Sequence, residues 1–227
     1  MASAVCDCGK TVATFLTRKP LHSVECFCCD CSSRAANIKA ALNGEPLIQK
    51  DDEVPPLLQY FPGKVVVKSD AAGGAAAGAL RFTRIRKDAA AINACAKCCG
   101  SLLFVDHPSY QGRVVMCSPD LQKMCDLERL SPRGRVFIRD WPEAKFKEYE
   151  KKHPIDGGSA YLNHESGQWI QEKPMMPFPF QAASEAVQNA GGEAKSVQEL
   201  LDLQGGLVET LDIPEPSRSA KFQTPKL

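Results

Sequence analysis

Nine of the eleven cysteines in this 227-residue chain stand in three tight groups. They are Cys6-Asp7-Cys8-Gly9, Cys26-Phe27-Cys28-Cys29-Asp30-Cys31 and, about sixty residues on, Cys95-Ala96-Lys97-Cys98-Cys99-Gly100. Thiolates one or two residues apart converge on a soft tetrahedral cation at little backbone cost, so the pattern reads as zinc binding. A disulfide framework fits poorly: the cysteine count is odd, the chain is long, and its start does not resemble a secretion signal. Vicinal pairs such as Cys28-Cys29 also do not bridge readily to each other.

A Cys-x-Cys pair in a strand or tight turn projects both sulfurs to one side, and a Cys-x-x-Cys knuckle does the same. One of each makes a closed four-sulfur site, which is structural and contributes on the order of 10 kcal/mol to folding. The central group differs. Cys26, Cys28 and Cys31 form a Cys-x-Cys-x-x-Cys run. Three thiolates leave a fourth position for water, a substrate thiol or another protein group, which is what catalytic zinc needs. Cys29, or a histidine such as His22 four residues ahead of the group, would close it. Two zinc ions per chain are expected.

The elements that must position these groups read as mainly β. Thr11–Leu16, Lys64–Lys68, Leu80–Ile85, Ser101–Val105, Arg113–Met116 and Arg135–Ile138 are β-branched or aromatic runs of strand length. Ala35–Asn43 fits one or two helical turns stopped by Gly44 and Pro46, and Pro142–Lys152 fits a short charged helix. Asp70–Ala79 is Ala/Gly-rich and reads as a surface loop. His153–Phe180, rich in proline and glycine, reads as extended with little hydrogen bonding of its own. Two short helices follow, Ala182–Ala190 and Ser196–Leu203, the second opening with Ser196 and Glu199 in capping-box spacing.

Composition sets limits. A net charge of +1 gives no support for nucleic-acid or anionic-membrane binding, and the longest bland stretch, Ala71–Leu80, is too short and too glycine-broken to span a bilayer. If Met1 is the natural start, no cleavable leader fits ahead of Cys6, which places the chain in a reducing compartment such as the cytosol. Cys117 and Cys125 stand alone and read as buried apolar fillers. Arg81, Arg84, Arg86 and Lys87 read as a solvated strand face, with an anion-binding strip as the sharper alternative.

Cys-x-Cys-Gly near the start, Cys-x-Cys-x-x-Cys about twenty residues later and Cys-x-x-Cys ahead of Gly-Ser resemble the glutathione-dependent formaldehyde-activating enzyme family, which includes centromere protein V. Gly100-Ser101-Leu102-Leu103-Phe104 and Arg135–Trp141 extend the resemblance over roughly residues 3–145. It implies a small zinc-stabilised β-tent with two zinc sites. By that analogy Cys6, Cys8, Cys95 and Cys98 hold a structural zinc, and Cys26, Cys28 and Cys31 surround the second metal. Phe27 and Ser32 stand where the family has histidine and arginine. Cys99, which directly precedes Gly100, is the alternate to Cys98, and Cys29 is the alternate in the central group.

The expected organisation is a two-zinc domain over residues 1–152 and an extended, partner-binding arm with short helices over 153–227. Two functions follow. The leading one is a structural or adaptor subunit that grips other protein subunits through the arm; by resemblance, a microtubule or other cytoskeletal assembly is a candidate. The alternative is a carbon–sulfur lyase acting on a glutathione–aldehyde adduct of the S-hydroxymethylglutathione type.

Overall fold

The structure is a computed structural model that describes residues 1–48, 54–70, 76–163 and 165–214, apart from the side chains of Cys29, Ala76 and Ala77. The chain opens with β1 (Ser3–Val5), β2 (Thr11–Phe15) and β3 (His22–Cys26), followed by helix α1 (Cys29–Asn43). Next come β4 (Leu57–Pro62), β5 (Lys64–Ser69), the single helical turn α2 (Ala76–Ala79) and β6 (Leu80–Arg84). The strands β7 (Ile92–Ala96), β8 (Leu102–Asp106), β9 (Val114–Cys117), β10 (Met124–Cys125) and β11 (Gly134–Val136) lead to helix α3 (Glu143–Lys152). The hairpin β12 (Gly158–Asn163) and β13 (Gln168–Lys173) precedes α4 (Phe180–Gln188), β14 (Lys195–Ser196), α5 (Val197–Asp202) and β15 (Glu209–Thr210).

These strands make two sheets, so the protein is mainly β, as its sequence implies. A five-stranded sheet runs β10-β1-β2-β5-β14, and a ten-stranded sheet runs β13-β12-β11-β3-β4-β9-β8-β7-β6-β15. One core lies between them. Ala13, Phe15, Val65 and Val67 of the small sheet meet Phe61, Phe82, Leu103, Phe104 and Val115 of the large one, with Phe15 and Phe61 stacked at 4.3 Å. On the other face of the large sheet, Ile38 of α1 and Ala183 of α4 close over Val24, Leu58, Val105 and Met116. A third cluster boxes Phe27 among Ile138, Trp141 and Phe146. No helix among the described residues is long and apolar enough to cross a membrane.

The six strand runs expected from sequence all contain strands, although the last stops at Val136. Phe137 adopts φ +58 and turns the chain into a short 3-10 turn at Ile138–Asp140. Helix α1 starts six residues earlier than expected, at Cys29, because the strand ending at Cys26 hands straight over through Cys28, whose φ −71 and ψ 142 are extended. Of the expected loop at 70–79, residues 71–75 lie outside the described part, and Ala76–Ala79 form a helical turn.

The C-terminal segment differs most from expectation. Through residue 214 it is no free arm but adds strands to both sheets of the domain. β12 pairs parallel with β11, β14 antiparallel with β5, and β15 parallel with β6. Gly158 is required where β12 runs beneath Pro174: a Cβ there would sit 2.2 Å from the Pro174 carbonyl oxygen. Helix α5, capped by the reciprocal Ser196–Glu199 box the sequence predicts, buries Val197, Leu200 and Leu201 in the core between the sheets. An open sheet edge carries unpaired backbone groups, and these strands satisfy them. Residues 215–227 of the expected arm lie outside the described part.

Candidate metal centres

Two hairpin turns build the first centre. Between β1 and β2 the chain reverses through Cys6–Lys10, with Gly9 at φ +78 and its N–H donating to the Cys6 carbonyl at 2.9 Å. Between β7 and β8 it reverses through Lys97–Gly100, and Gly100 at φ +71 takes the left-handed position that L side chains avoid. The Asp7 N–H donates to Ser101 Oγ at 3.0 Å and ties the two turns together. Lys39 of α1 reaches Asp7 at 2.5 Å and holds its carboxyl below the usual range.

This juxtaposition brings Cys6, Cys8, Cys98 and Cys99 together, every sulfur within 4.8 Å of the others. The Cys8–Cys98, Cys6–Cys8, Cys6–Cys98 and Cys98–Cys99 sulfur separations are 3.3, 3.5, 3.6 and 3.9 Å. A tetrahedron with 2.3 Å metal–sulfur bonds has edges of about 3.8 Å. The spacing therefore suits one metal ion and is far too long for a disulfide at ~2.05 Å. Burial pushes Cys98 up to about 12. Burial also raises Cys99, but hydrogen bonds from Ser101 and from the Cys8 backbone outweigh it and bring that thiol to about 6.

Cys95, expected in this set, is placed elsewhere. Side chains of β7 alternate: Ala94 and Ala96 face the core shared with Cys6, while Cys95 faces the opposite core. Its sulfur lies 3.9 Å from Thr83 Oγ1, and burial pushes it up to about 12. The strand period of two removes Cys95 and leaves the vicinal pair in the turn as the donors. The glycine after Cys99 was the sequence signal for this choice.

The second centre forms where β3 ends and α1 begins. Cys26 closes the strand, Cys28 caps the helix, and Cys31 lies in its first turn. Their sulfurs lie within 4.8 Å of one another, with Cys26 and Cys28 at 3.3 Å. The helix N-terminus favours thiolate over thiol. Hydrogen bonds from Cys26 and Cys28, with Arg34 nearby, hold Cys31 well below the ordinary thiol range. Hydrogen bonding with Cys26 and Cys31 pushes Cys28 well above it. Phe27 turns away and packs edge-on against Trp141, Phe146 and Tyr149 at 4.8, 5.2 and 5.5 Å.

Beside the cluster, β11 is locked to β3. Arg135, 1% exposed, donates from Nε to Glu25 Oε2 at 2.7 Å, and Tyr149 donates its hydroxyl to Glu25 Oε1 at 3.0 Å. The Phe27 N–H donates to the Val136 carbonyl at 2.9 Å. This network fixes the backbone on both sides of Cys26.

No fourth donor joins Cys26, Cys28 and Cys31 among the described side chains; the Cys29 side chain lies outside them. His22 packs edge-on against Phe178 at 4.9 Å instead, and burial, with Arg133 nearby, lowers it to about 4. The three cysteines border a cavity of about 220 Å³, whose walls include Arg34, Tyr60, Arg86, His107, Tyr110 and Phe137. Both clusters are thus geometrically able to hold metal ions, one with four thiols and one with three.

The remaining candidates are placed as follows. Arg81 forms a two-pronged pair with Glu209 at 2.6 and 2.9 Å, and Arg86 another with Asp30 at 2.8 and 2.6 Å, so half of the basic strip is neutralised internally. Cys117 is core, whereas Cys125 is exposed on the edge strand β10, contrary to expectation. Arg34, His107 and Tyr110 carried no motif signal: Arg34 lies one helical turn after Cys31, whereas only the fold brings His107 and Tyr110 to the cysteines. Compared with protein-family models, curated proteins and solved structures, the chain matches none.

Proposed function

We propose that the chain is a zinc-dependent carbon–sulfur lyase acting on thiol–aldehyde adducts of the glutathione type at Cys26, Cys28 and Cys31. The observation that carries this reading is the three-thiol cluster bordering a cavity with no fourth described donor. Cys6, Cys8, Cys98 and Cys99 would hold a second, closed and structural zinc. The cysteine motifs that resemble the formaldehyde-activating family support the same assignment.

Zinc, when bound by the three thiolates, supplies Lewis acidity toward a thiol sulfur. The chain's own groups do the rest. In the lyase direction the adduct's carbon–sulfur bond breaks and its hydroxyl proton passes to sulfur; synthesis reverses both transfers. The Ser109 N–H donates to His107 Nδ1 at 3.2 Å, so the neutral ring carries its proton on Nε2. Burial, with Arg34 nearby, lowers His107 and favours that neutral form. Tyr110 also lines the cavity, so the wall offers both N–H and O–H groups to an adduct oxygen. Apolar side chains, among them Leu58, Val105, Met116 and Phe137, line the cavity and would lower the polarity around a bound adduct.

The adaptor reading rested on a free arm, whereas β12, β13, β14 and β15 join the protein's own sheets and α4 and α5 pack against its cores. The lyase reading therefore stands first. Exchange NMR on glutathione and formaldehyde tests it: the protein should accelerate interconversion of free thiol and adduct, and Cys31→Ser should not. Wild-type protein that holds zinc at both centres yet leaves the exchange rate at its uncatalysed value would refute the assignment.

A further inference from the structure

Arg34 sits one turn into α1 after Cys31, and residues three apart share a helix face with Cβ atoms roughly 5–6 Å apart. It lines the same cavity as the three cysteines. Its Nη1 donates to Asn93 Oδ1 at 3.4 Å, a long contact, and its buried Nε has no hydrogen-bond partner. A guanidinium offers five donors, and leaving one buried and unmatched is costly.

The carboxylates around the cavity are already committed. Asp30 is held by both prongs of Arg86, which also faces Asp88 at 3.2 Å, and Asp140 is engaged by neighbours of its own. Among the described residues, Arg34 has no carboxylate partner within ion-pair distance. The rest of the wall is apolar or aromatic, including Leu58, Ile85, Val105 and Met116. A planar, permanently charged fork beside a thiol-binding cluster suits a carboxylate in two-pronged geometry.

We propose that Arg34 is a specificity residue that receives the carboxylate of a thiol whose sulfur meets the Cys26–Cys28–Cys31 cluster. This rests on the lyase reading and deepens it. The short helical spacing between Cys31 and Arg34 places the anion close to the sulfur. A thiol with its carboxylate three bonds from sulfur fits, as does the cysteinyl-glycine end of glutathione, whose terminal carboxylate lies about six bonds from sulfur and can fold back to the guanidinium. The cavity, about 220 Å³, is below the ~300–1,000 Å³ usual for drug-sized ligands, so it takes that end and not a bulky whole.

The test compares 3-mercaptopropionate with 2-mercaptoethanol, two small thiols that differ in the carboxylate. Each is titrated into full-length protein loaded with cobalt(II), and binding is followed by sulfur-to-metal charge-transfer absorption. Wild type should prefer the carboxylate thiol by about tenfold to a hundredfold. Arg34→Gln should abolish the preference while leaving metal content and affinity for 2-mercaptoethanol unchanged; Arg34→Lys should keep part of it. Equal weakening of both thiols in Arg34→Gln would make Arg34 a mere counter-ion of the thiolates and overturn the proposal. Lack of preference in wild type overturns it without any variant and leaves the lyase reading intact. Failure of both thiols to bind wild type would sink the open metal position itself, and the proposal with it.

Discussion

Cys95→Ala and Cys99→Ala form a matched pair whose outcomes should diverge, although both residues belong to one six-residue motif. Structural zinc sites contribute roughly 10–16 kcal/mol, or about 3 kcal/mol for each of four thiolates. Cys99 lies in the four-thiol cluster, so its removal should cost about 3 kcal/mol, which for a chain of this size lowers Tm by roughly 6–12 °C. Cys95 has no sulfur neighbour in the cluster and is fully buried beside Thr83. Trimming it should cost about 1 kcal/mol, the scale of one buried methylene, and ~2–4 °C. Elemental analysis after mild chelator challenge separates the two independently of stability. Cys95→Ala should keep about two metal ions per chain, and Cys99→Ala should fall towards one. A Cys95→Ala protein that loses metal while Cys99→Ala retains it would refute the strand-alternation argument.

Two further expectations concern the rest of the molecule. Leu200, 1% exposed in the core between the sheets, should cost about 2–5 kcal/mol on change to Ala, and a Tm unchanged by that substitution would show the C-terminal segment to be peripheral after all. His22 is lowered by burial to about 4 from an ordinary 6.5, so the unfolded chain binds the extra proton first. Stability from this group is full above about pH 6.5 and falls by about 3 kcal/mol as pH drops towards 4. His22→Asn should flatten that part of the denaturation profile, and an unaltered slope would mean the imidazole does not titrate in its buried position.

The legibility of this protein varied with the range of the interactions involved. The helix α5 and its cap were readable because Ser196 and Glu199 act on backbone only three residues away. Strands such as β2 and β5 were readable from their β-branched runs. The hairpin β12–β13 was not, because Gly157, Gly158 and Pro174 suggest a broken chain until β11 supplies a partner edge. Phe27 illustrates the same limit at the site. Its type departs from the resembling family, but only the aromatic box from Trp141 to Tyr149 explains a phenyl ring there.

Sequence alone indicated that this chain carries cysteine clusters able to hold metal ions and is mainly β, because ligand type and spacing, side-chain period and β propensity are local properties. Tertiary structure decided which cysteines converge, since the face of β7 on which Cys95 lies is meaningful only once two cores flank that strand. It also decided that the C-terminal segment completes the sheets, because an open edge exists only after the other strands have paired. The partners of the three-thiol cluster follow the same rule. Arg34 is near Cys31 in sequence, but its lack of a carboxylate ion pair among the described residues depends on Arg86, fifty-two positions later, having taken Asp30.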